Sequence, residues 1–203
     1  METESSSPRV GVLALQGAFR EHKWALERLG VSAPLVLKAE DLAAIDALII
    51  PGGESTTIGR LLNVFGLMAP LLARVAAGLP VFGTCAGMVL LAREIEGSAQ
   101  PRLGVMDVTV RRNAFGRQVD SFEVDLTVSV LGPPPFRGVF IRAPYITRVG
   151  PGVEVLACLA EKVILVRQGR LLAASFHPEL TDDLRLHRYF VNEVAGLAIP
   201  ADR

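Results

Sequence analysis

The chain has 203 residues, half of them hydrophobic, and its 21 lysines and arginines balance its 21 aspartates and glutamates. This length favours one domain, and the apolar content excludes a globally disordered chain. The balanced charge argues against a nucleic-acid binder, because counterion release needs clustered basic side chains. Two cysteines, Cys85 and Cys158, are too few for a disulfide framework or a four-thiolate zinc site. No apolar run approaches the ~20 residues that span a bilayer, and the first residues are acidic and polar, unlike a signal peptide. We therefore expect a cytoplasmic protein that binds neither membrane nor nucleic acid.

The first half of the sequence alternates strand and helix patterns. Apolar runs typical of buried strands occupy residues 10–15, 35–37, 47–50 and 80–83. Helical patterns are expected at 18–29, 42–45, 55–62, 68–77 and 86–93. His22 falls on the apolar stripe of the first of these helices, four residues after Ala18. This alternation predicts parallel strands with crossover helices on both faces of a sheet.

The second half is rich in strand-like segments separated by turn residues, at 105–110, 122–130, 139–142, 153–159, 163–168 and 171–176. A last helix begins near Asp182, and its apolar positions recur at helical spacing. The predicted fold is a single three-layer α/β/α domain with a flavodoxin-like, mostly parallel sheet and a β-rich second half. It spans residues 10–197, with 1–9 as a disordered lead-in and 198–203 as a tail.

Cys85 lies in a Gly-Thr-Cys-Ala-Gly sequence between a predicted strand and a predicted helix. Small residues flanking a nucleophile at such a junction permit the sharp turn of a nucleophile elbow. The helix that begins at Ala86 would point its N–H groups at the sulfur and favour the nucleophilic thiolate. The alternative is a buried structural cysteine beside packing glycines.

His177 and Glu179 follow the last predicted strand in the sequence Phe-His-Pro-Glu-Leu. In an extended chain, residues two apart share a face, and Pro178 biases His177 toward that conformation. A carboxylate beside an imidazole fixes its tautomer and stabilises the imidazolium, as the third member of a triad must. A solvated turn is the alternative interpretation.

A third glycine-rich segment, Pro-Gly-Gly-Glu-Ser at 51–55, follows the strand at 47–50. Adjacent glycines leave the backbone free to aim an N–H into a cavity. Such an N–H and that of Ala86 would form an oxyanion hole, although a plain tight turn is the alternative. All three segments fall at the carboxyl ends of predicted strands, where open α/β sheets bind ligands. Together they predict a Cys–His–Glu acyl-transfer site.

These motifs extend to a resemblance that covers residues 10–190. The chain resembles the class I (triad-type) glutamine amidotransferases, and within them the glutaminase subunits of pyridoxal 5′-phosphate synthase. The matching segments are 11–18, 51–57, 83–87, 112–123, 140–144 and 175–180. The Arg-Asn-Ala-Phe-Gly-Arg-Gln run from Arg112 and the Gly-Gly-Glu-Ser-Thr-Thr run from Gly52 are more specific to this subfamily than the triad itself.

The resemblance implies that Cys85 attacks the carboxamide of L-glutamine to form a γ-glutamyl thioester, that His177 transfers the protons, and that Glu179 orients His177. The N–H groups of Gly53 and Ala86 are implied to hold the tetrahedral oxyanion. The implied glutamine pocket is formed by Gly52, Gly53, Glu54, Arg112, Ile141 and Arg142. The charges suit the ligand, because glutamine carries an α-carboxylate and an α-ammonium.

The resemblance also implies a partner. Ammonia would pass to a separate synthase subunit in a hetero-oligomeric complex, and Gln16 would lie in a loop tied to activation by that partner. Neither a cofactor nor a metal ion is expected. Three residues have no motif context: His22 and His187 are interpreted as helix-surface or packing residues, and Cys158 as a core thiol.

Other functions remain open at this level. The ammonia could serve another amidotransferase, against which the 112–123 run argues. A DJ-1-like or peptidase-like cysteine hydrolase shares the broad architecture, but the pairing of His177 with Glu179 fits it poorly. A non-catalytic interaction module is the last alternative, and the intact triad argues against it.

Overall fold

The computed structural model describes residues 7–112 and 121–199 of the chain. The strands are β1 (Val10–Leu13), β2 (Leu35–Val36), β3 (Ala47–Ile50), β4 (Val81–Thr84), β5 (Ala92–Ile95), β6 (Met106–Arg111), β7 (Ser121–Leu126), β8 (Phe136–Ile141), β9 (Tyr145–Val149), β10 (Glu154–Leu159), β11 (Lys162–Gln168) and β12 (Leu171–Ala174). The α-helices are α1 (Phe19–Arg28), α2 (Ser55–Val64), α3 (Met68–Ala76), α4 (Ala86–Leu91) and α5 (Arg185–Tyr189). Short 3₁₀ helices occupy Ala39–Ala44, Ser129–Leu131 and Pro178–Leu180.

The strands form one large mixed sheet in the order β2-β1-β3-β4-β12-β11-β9-β6-β5, with β10 paired to β11, and a separate β7–β8 hairpin. The first five strands of that order are parallel to their neighbours. Antiparallel pairing begins at β11, which runs against β9, β10 and β12. The predicted α/β architecture with a β-rich second half is confirmed, and the second half supplies most of the antiparallel strands.

Both faces of the sheet are buried, which produces the three layers. Along β3, Ala47 and Ile49 join the apolar cluster that includes α1 and α5. Leu48 and Ile50 join the opposite cluster, which includes α2, α3 and α4. Successive residues of a strand point to opposite faces, so a strand covered on both sides is a continuous apolar run, as the sequence of β3 is.

Several predicted boundaries were wrong. The predicted helix at 86–93 ends at Leu91, because Ala92–Ile95 pairs with β6 as a strand. The expected helix at 42–45 is instead the 3₁₀ helix Ala39–Ala44. The last helix is α-helical only over Arg185–Tyr189 and continues as a π-helical turn over Phe190–Val194. Strand β9 was missed, because its pairing with β6 is a tertiary contact that its mixed sequence does not signal.

Parts of three predicted segments, the lead-in, the 112–123 run and the tail, lie outside the described residues, at 1–6, 113–120 and 200–203. In the ranges that are described, no single helix has the length and apolar composition needed to cross a membrane. Helices α2 and α3 meet that criterion only as a pair, and they are bent by 97° relative to each other.

The order of the parallel strands decides where a site can form. The segments that follow β1, β3, β4 and β12 emerge at the same edge of the sheet, because these four strands are parallel and adjacent. They begin near Gln16, Gly52, Cys85 and His177, respectively. The strand order reverses beside β1, and open α/β sheets bind ligands at such a point.

Candidate active site

Cys85 occupies a strained turn between β4 and α4, with φ 48° and ψ −102°. Its N–H donates to the carbonyl of Ala174 on the neighbouring strand at 2.8 Å, which fixes the turn against the sheet. The flanking glycines are required by close packing. A Cβ on Gly87 would lie 2.1 Å from the carbonyl oxygen of Ile50, and one on Gly83 would lie 2.6 Å from the backbone of Gly87. This is the backbone of a nucleophile elbow.

His177 and Glu179 are paired in the interior. The Nδ1 of His177 lies 2.7 Å from Oε1 of Glu179, whose residue is only 3% exposed. The backbone N–H of His177 donates to the carbonyl of Val139 at 2.8 Å, so β8 holds the imidazole in place. The expected extended conformation was wrong: Pro178 starts a 3₁₀ turn, and this turn brings the carboxylate back to the ring.

The imidazole of His177 connects the carboxylate to the thiol. Burial alone would lower the pKa of His177, but hydrogen bonds with Cys85 and Glu179 and the charges of both groups raise it to about 10. Burial likewise opposes ionisation of Glu179, yet its interactions with His22 and His177 hold the pKa of that carboxyl below its usual range. At neutral pH an imidazolium therefore lies between the carboxylate of Glu179 and the sulfur of Cys85.

An open cavity adjoins the thiol. It is lined by residues that the sequence predicted, Gly53, Glu54, Cys85, Ala86, Arg112 and Arg142, and by Ser55, Val89 and Pro144. Two guanidinium groups and one carboxylate thus share a small cavity with the thiol. Charges of both signs match a zwitterionic ligand with an α-carboxylate and an α-ammonium.

The two remaining pocket candidates lie beside the thiol and the imidazole. The carbonyl oxygen of Ile141 is 4.0 Å from Sγ of Cys85. Gly52 is packed so closely against His177 that a Cβ there would lie 2.3 Å from Cε1 of the ring. Arg142 itself has a positive φ of 42°, which is uncommon for a residue with a side chain and is typical of backbone held at a site.

Gln16 contacts the glycine-rich segment that follows β3. Its Oε1 accepts a hydrogen bond from the N–H of Glu54 at 2.8 Å, and the N–H of Ala18 donates to the carbonyl of Gly52 at 3.0 Å. A Cβ on Gly53 would lie 2.5 Å from Oε1 of Gln16. The segments after β1 and β3 are therefore in direct contact through both backbone and side chain.

Gln100 is a site residue that the sequence analysis missed. Its side chain accepts from Nη1 of Arg112 at 2.6 Å and donates to Oγ of Ser55 at 3.0 Å. Arg112 also donates to Oε1 of Glu54 at 3.3 Å. Gln100 is only 8% exposed. It orients the guanidinium of Arg112 through the hydrogen bond that it accepts. A single glutamine in a loop carries no sequence pattern that could have revealed it.

Of the two interpretations of the other histidines, burial in the interior holds and the helix surface does not, while that of the second cysteine was wrong. His22 and His187 are fully buried and hydrogen-bonded to each other, and His22 also approaches Glu179. They are therefore polar neighbours of the triad, and neither lies on the helix surface. Cys158 is exposed, so its assignment to the core was wrong. Within the two described ranges, no group of three or more His, Cys, Asp or Glu side chains is arranged to hold a metal ion.

A model of the SNO glutamine amidotransferase family matches residues 12–196. The chain belongs to this family. The match runs from within β1 to just past the last helical turn, and it contains every described candidate site residue.

Relatives and solved structures agree with the SNO family assignment. The chain is 65% identical over 185 residues to a pyridoxal 5′-phosphate synthase subunit PdxT of Pelotomaculum thermopropionicum, which covers 91% of this chain and 94% of the relative. It is 63% identical to the subunit of the same name from Thermus thermophilus, with 93% and 98% covered. A crystal structure of a glutamine amidotransferase superposes with a TM-score of 0.88 at 61% identity, covering 93% of this chain and 99% of the other. The PurLQS structure from Thermotoga maritima, at 16% identity and a TM-score of 0.71, shows the fold alone.

Proposed function

We propose that this chain is the glutaminase subunit of a pyridoxal 5′-phosphate synthase, which hydrolyses L-glutamine to glutamate and delivers the ammonia to a separate synthase subunit. The observation that carries the proposal is the connected series Cys85, His177 and Glu179, whose thiol opens into a cavity with two arginines and one glutamate. Relatives 65% and 63% identical carry the name of this synthase subunit.

Acyl transfer begins with the proton of the Cys85 thiol transferred to His177, which leaves a thiolate beside an imidazolium. The thiolate of Cys85 attacks the side-chain carbonyl carbon of glutamine, and the tetrahedral intermediate carries its negative charge on oxygen. His177 then gives its proton to the departing nitrogen as the carbon–nitrogen bond breaks, which leaves a γ-glutamyl thioester and ammonia. The pKa of about 10 keeps His177 protonated at neutral pH and suits it to this acid step.

Hydrolysis reverses the roles. His177, now neutral, takes a proton from water as the water oxygen attacks the thioester carbon. The second tetrahedral intermediate expels the thiolate of Cys85, glutamate leaves, and the imidazolium is restored. Glu179 stays ionised throughout and holds the Nδ1–H of His177, so the opposite ring nitrogen faces the reacting atoms.

The remaining residues bind and polarise the substrate. We assign the N–H groups of Gly53 and Ala86 to the oxyanion, where one donor contributes about 2.7–4 kcal/mol to catalysis. Arg112 and Arg142 bind the α-carboxylate and Glu54 binds the α-ammonium, since these groups line the cavity beside the thiol. Gly52 and Ile141 complete the pocket beside His177 and Cys85, and Gln16 couples the pocket loop to the partner.

The test is ammonia release from glutamine by the chain with and without the synthase subunit. Release is expected to rise when the subunit is added, and Cys85→Ala is expected to reduce the stimulated rate at least about a thousandfold. Cys158→Ser is the matched control, because that exposed thiol lies outside the site. Undiminished release by Cys85→Ala would contradict the mechanism. Turnover of peptides or glyoxals with none of glutamine would instead favour the DJ-1-like or peptidase-like hydrolase.

A further inference from the structure

Two imidazoles extend the triad into the core. His22 on α1 and His187 on α5 are both fully buried, and Nδ1 of His22 lies 3.0 Å from Nε2 of His187. On its other side, Nε2 of His22 lies 3.0 Å from Oγ1 of Thr84 and 3.3 Å from Oε2 of Glu179. His22 thus lies next to one oxygen of the Glu179 carboxylate, whose other oxygen is hydrogen-bonded to His177.

The hydrogen bonding of His187, the outermost of these imidazoles, determines which ring nitrogens of His187 and His22 carry protons. Nδ1 of His187 is buried and has no hydrogen-bond partner in the described part of the chain. A buried N–H without an acceptor is rarer in proteins than a buried acceptor without a donor. The proton of His187 therefore belongs on Nε2, from which it donates to Nδ1 of His22. This leaves His22 with its own proton on Nε2, facing Thr84 and Glu179.

The opposite arrangement carries two penalties. If Nδ1 of His22 donated to His187, the proton of His187 would move to the unpartnered Nδ1 and remain buried without an acceptor. The lone pair of His22 Nε2 could then accept from the hydroxyl of Thr84 at 3.0 Å, but it would also face Oε2 of Glu179 at 3.3 Å, two acceptors side by side. Oε2 of Glu179 makes no well-formed hydrogen bond to any described residue, and Nε2 of His22, 3.3 Å away, is in position to supply it with a donor.

We infer that His22 is a positioning residue of the active site, which donates from Nε2 to Glu179 while His187 fixes its tautomer. The carboxylate is then held on both oxygens, by His177 on one side and by His22 on the other. Neither a rotation of the carboxylate nor its protonation is favourable while both donors are in place. Because it concerns the same triad, this role rests on the proposed glutaminase function.

The charges around His22 are consistent with a neutral donor. Burial lowers the pKa of His22, as does the charge of His177, while Glu179 and Glu21 oppose the shift. Burial also lowers the pKa of His187, to about 3. Both outer imidazoles are therefore neutral at pH 7, and His177 alone of the three histidines carries charge. A neutral His22 supports Glu179 without competing with His177 for its charge.

The first test needs no enzymatic activity. Two-bond ¹H–¹⁵N correlation NMR of the full chain labelled at histidine distinguishes the two neutral tautomers from the imidazolium. With three histidines in the chain, we expect His22 and His187 as Nε2–H tautomers and His177 protonated on both nitrogens at pH 7. Finding His22 as the Nδ1–H tautomer or as an imidazolium would overturn the inference.

The second test compares two replacements of His22. Leucine removes the donor, so Glu179 either turns away or becomes protonated, and the midpoint of proton loss from His177 falls by at least about one pH unit, a tenfold change in population. A glutamine side chain would place an amide N–H near the position of Nε2, so His22→Gln is expected to restore most of the wild-type midpoint. The pH dependence of the Hε1 chemical shift of His177 measures this midpoint in the free chain.

Phe82→Leu is the matched control for lost packing. Its ring centroid lies 6.4 Å from that of His22 and 6.3 Å from that of His187, but it donates no hydrogen bond to either. This variant should leave the His177 midpoint unchanged. If the midpoint were unmoved or raised in His22→Leu, or shifted equally in all three variants, His22 would be a packing residue and not a positioning residue.

In the complex with the synthase subunit, His22→Leu is expected to lower kcat about tenfold, as for loss of one hydrogen bond to a charged group. The KM for glutamine should stay within about twofold, because His22 does not line the cavity. A rise in KM with unchanged kcat would overturn the positioning role. If the complex of the wild-type chain with the synthase subunit had no glutaminase activity, the proposed function would be refuted. The expected NMR results would in that case still support the arrangement of His22.

Discussion

Replacing Gly52 with alanine adds one methyl group at the contact between the pocket loop and the catalytic imidazole. The new Cβ would lie 2.3 Å from Cε1 and 2.9 Å from Nδ1 of His177, whereas ordinary van der Waals contact begins at 3.4 Å. The ring must therefore retreat by roughly 1 Å. It cannot do so freely, because Nδ1 is bonded to Glu179 at 2.7 Å and the backbone N–H of His177 is bonded to Val139.

A displacement of about 1 Å in a catalytic group typically costs about a hundredfold in rate. We expect Gly52→Ala to lower kcat/KM for glutamine by about that factor, measured as ammonia release in the complex with the synthase subunit. The stability cost should be about 1–3 kcal/mol in urea unfolding, as is typical when a methyl group is forced into a closely packed site.

Gly97→Ala is the control for a glycine substitution as such. Gly97 has φ +65° and nothing within 4 Å of its Cβ position, so alanine strains the backbone there without touching the site. It should lose stability and keep full activity. If Gly52→Ala retained activity within about threefold of wild type, the close packing of Gly52 against His177 would not be needed for catalysis.

Two further predictions concern the pocket and the core. Gln100→Leu removes the side chain that accepts from Arg112 at 2.6 Å. The KM for glutamine should therefore rise about tenfold with little change in kcat. An unchanged KM would show that Gln100 is dispensable for orienting Arg112. Burial lowers the pKa of His187 from 6.5 to about 3, so between these values the unfolded chain binds a proton that the folded chain does not. The free energy of unfolding should therefore fall as the pH drops from 6.5 toward 3, by at most roughly 5 kcal/mol from this group. Urea unfolding of His187→Met between pH 7 and pH 4 should show a shallower dependence than wild type, and equal slopes would contradict the assignment.

Local signals in the sequence were sufficient for the parallel half of the fold. The apolar run of β3 and the glycines around Cys85 have a physical cause that acts within a few residues, namely burial on both faces and close backbone packing. The pairing of His177 with Glu179 was also predicted, although the assumed extended backbone was wrong, because Pro178 starts a 3₁₀ turn.

The polar support behind the triad could not be predicted in this way. The helical spacing of α1 indicated that His22 faces inward, but its partner His187 lies 165 residues further along the chain. Gln100 and Arg112 meet through a loop with no periodicity. Such contacts depend on how distant elements pack, and short-range patterns contain no information about that packing.

Strand β12 lies between β4 and β11 and pairs with β4 in register from Leu171 with Val81 to Ala174 with Thr84. It is therefore a central strand supplied by a late part of the chain. During synthesis the nucleophile is made about ninety residues before its base, and the gap between β4 and β11 cannot close until β12 has left the ribosome. A partly synthesised chain consequently has a thiol but no imidazole to activate it, and the capacity to consume glutamine would arise only once β12 and the residues that follow it have folded into place.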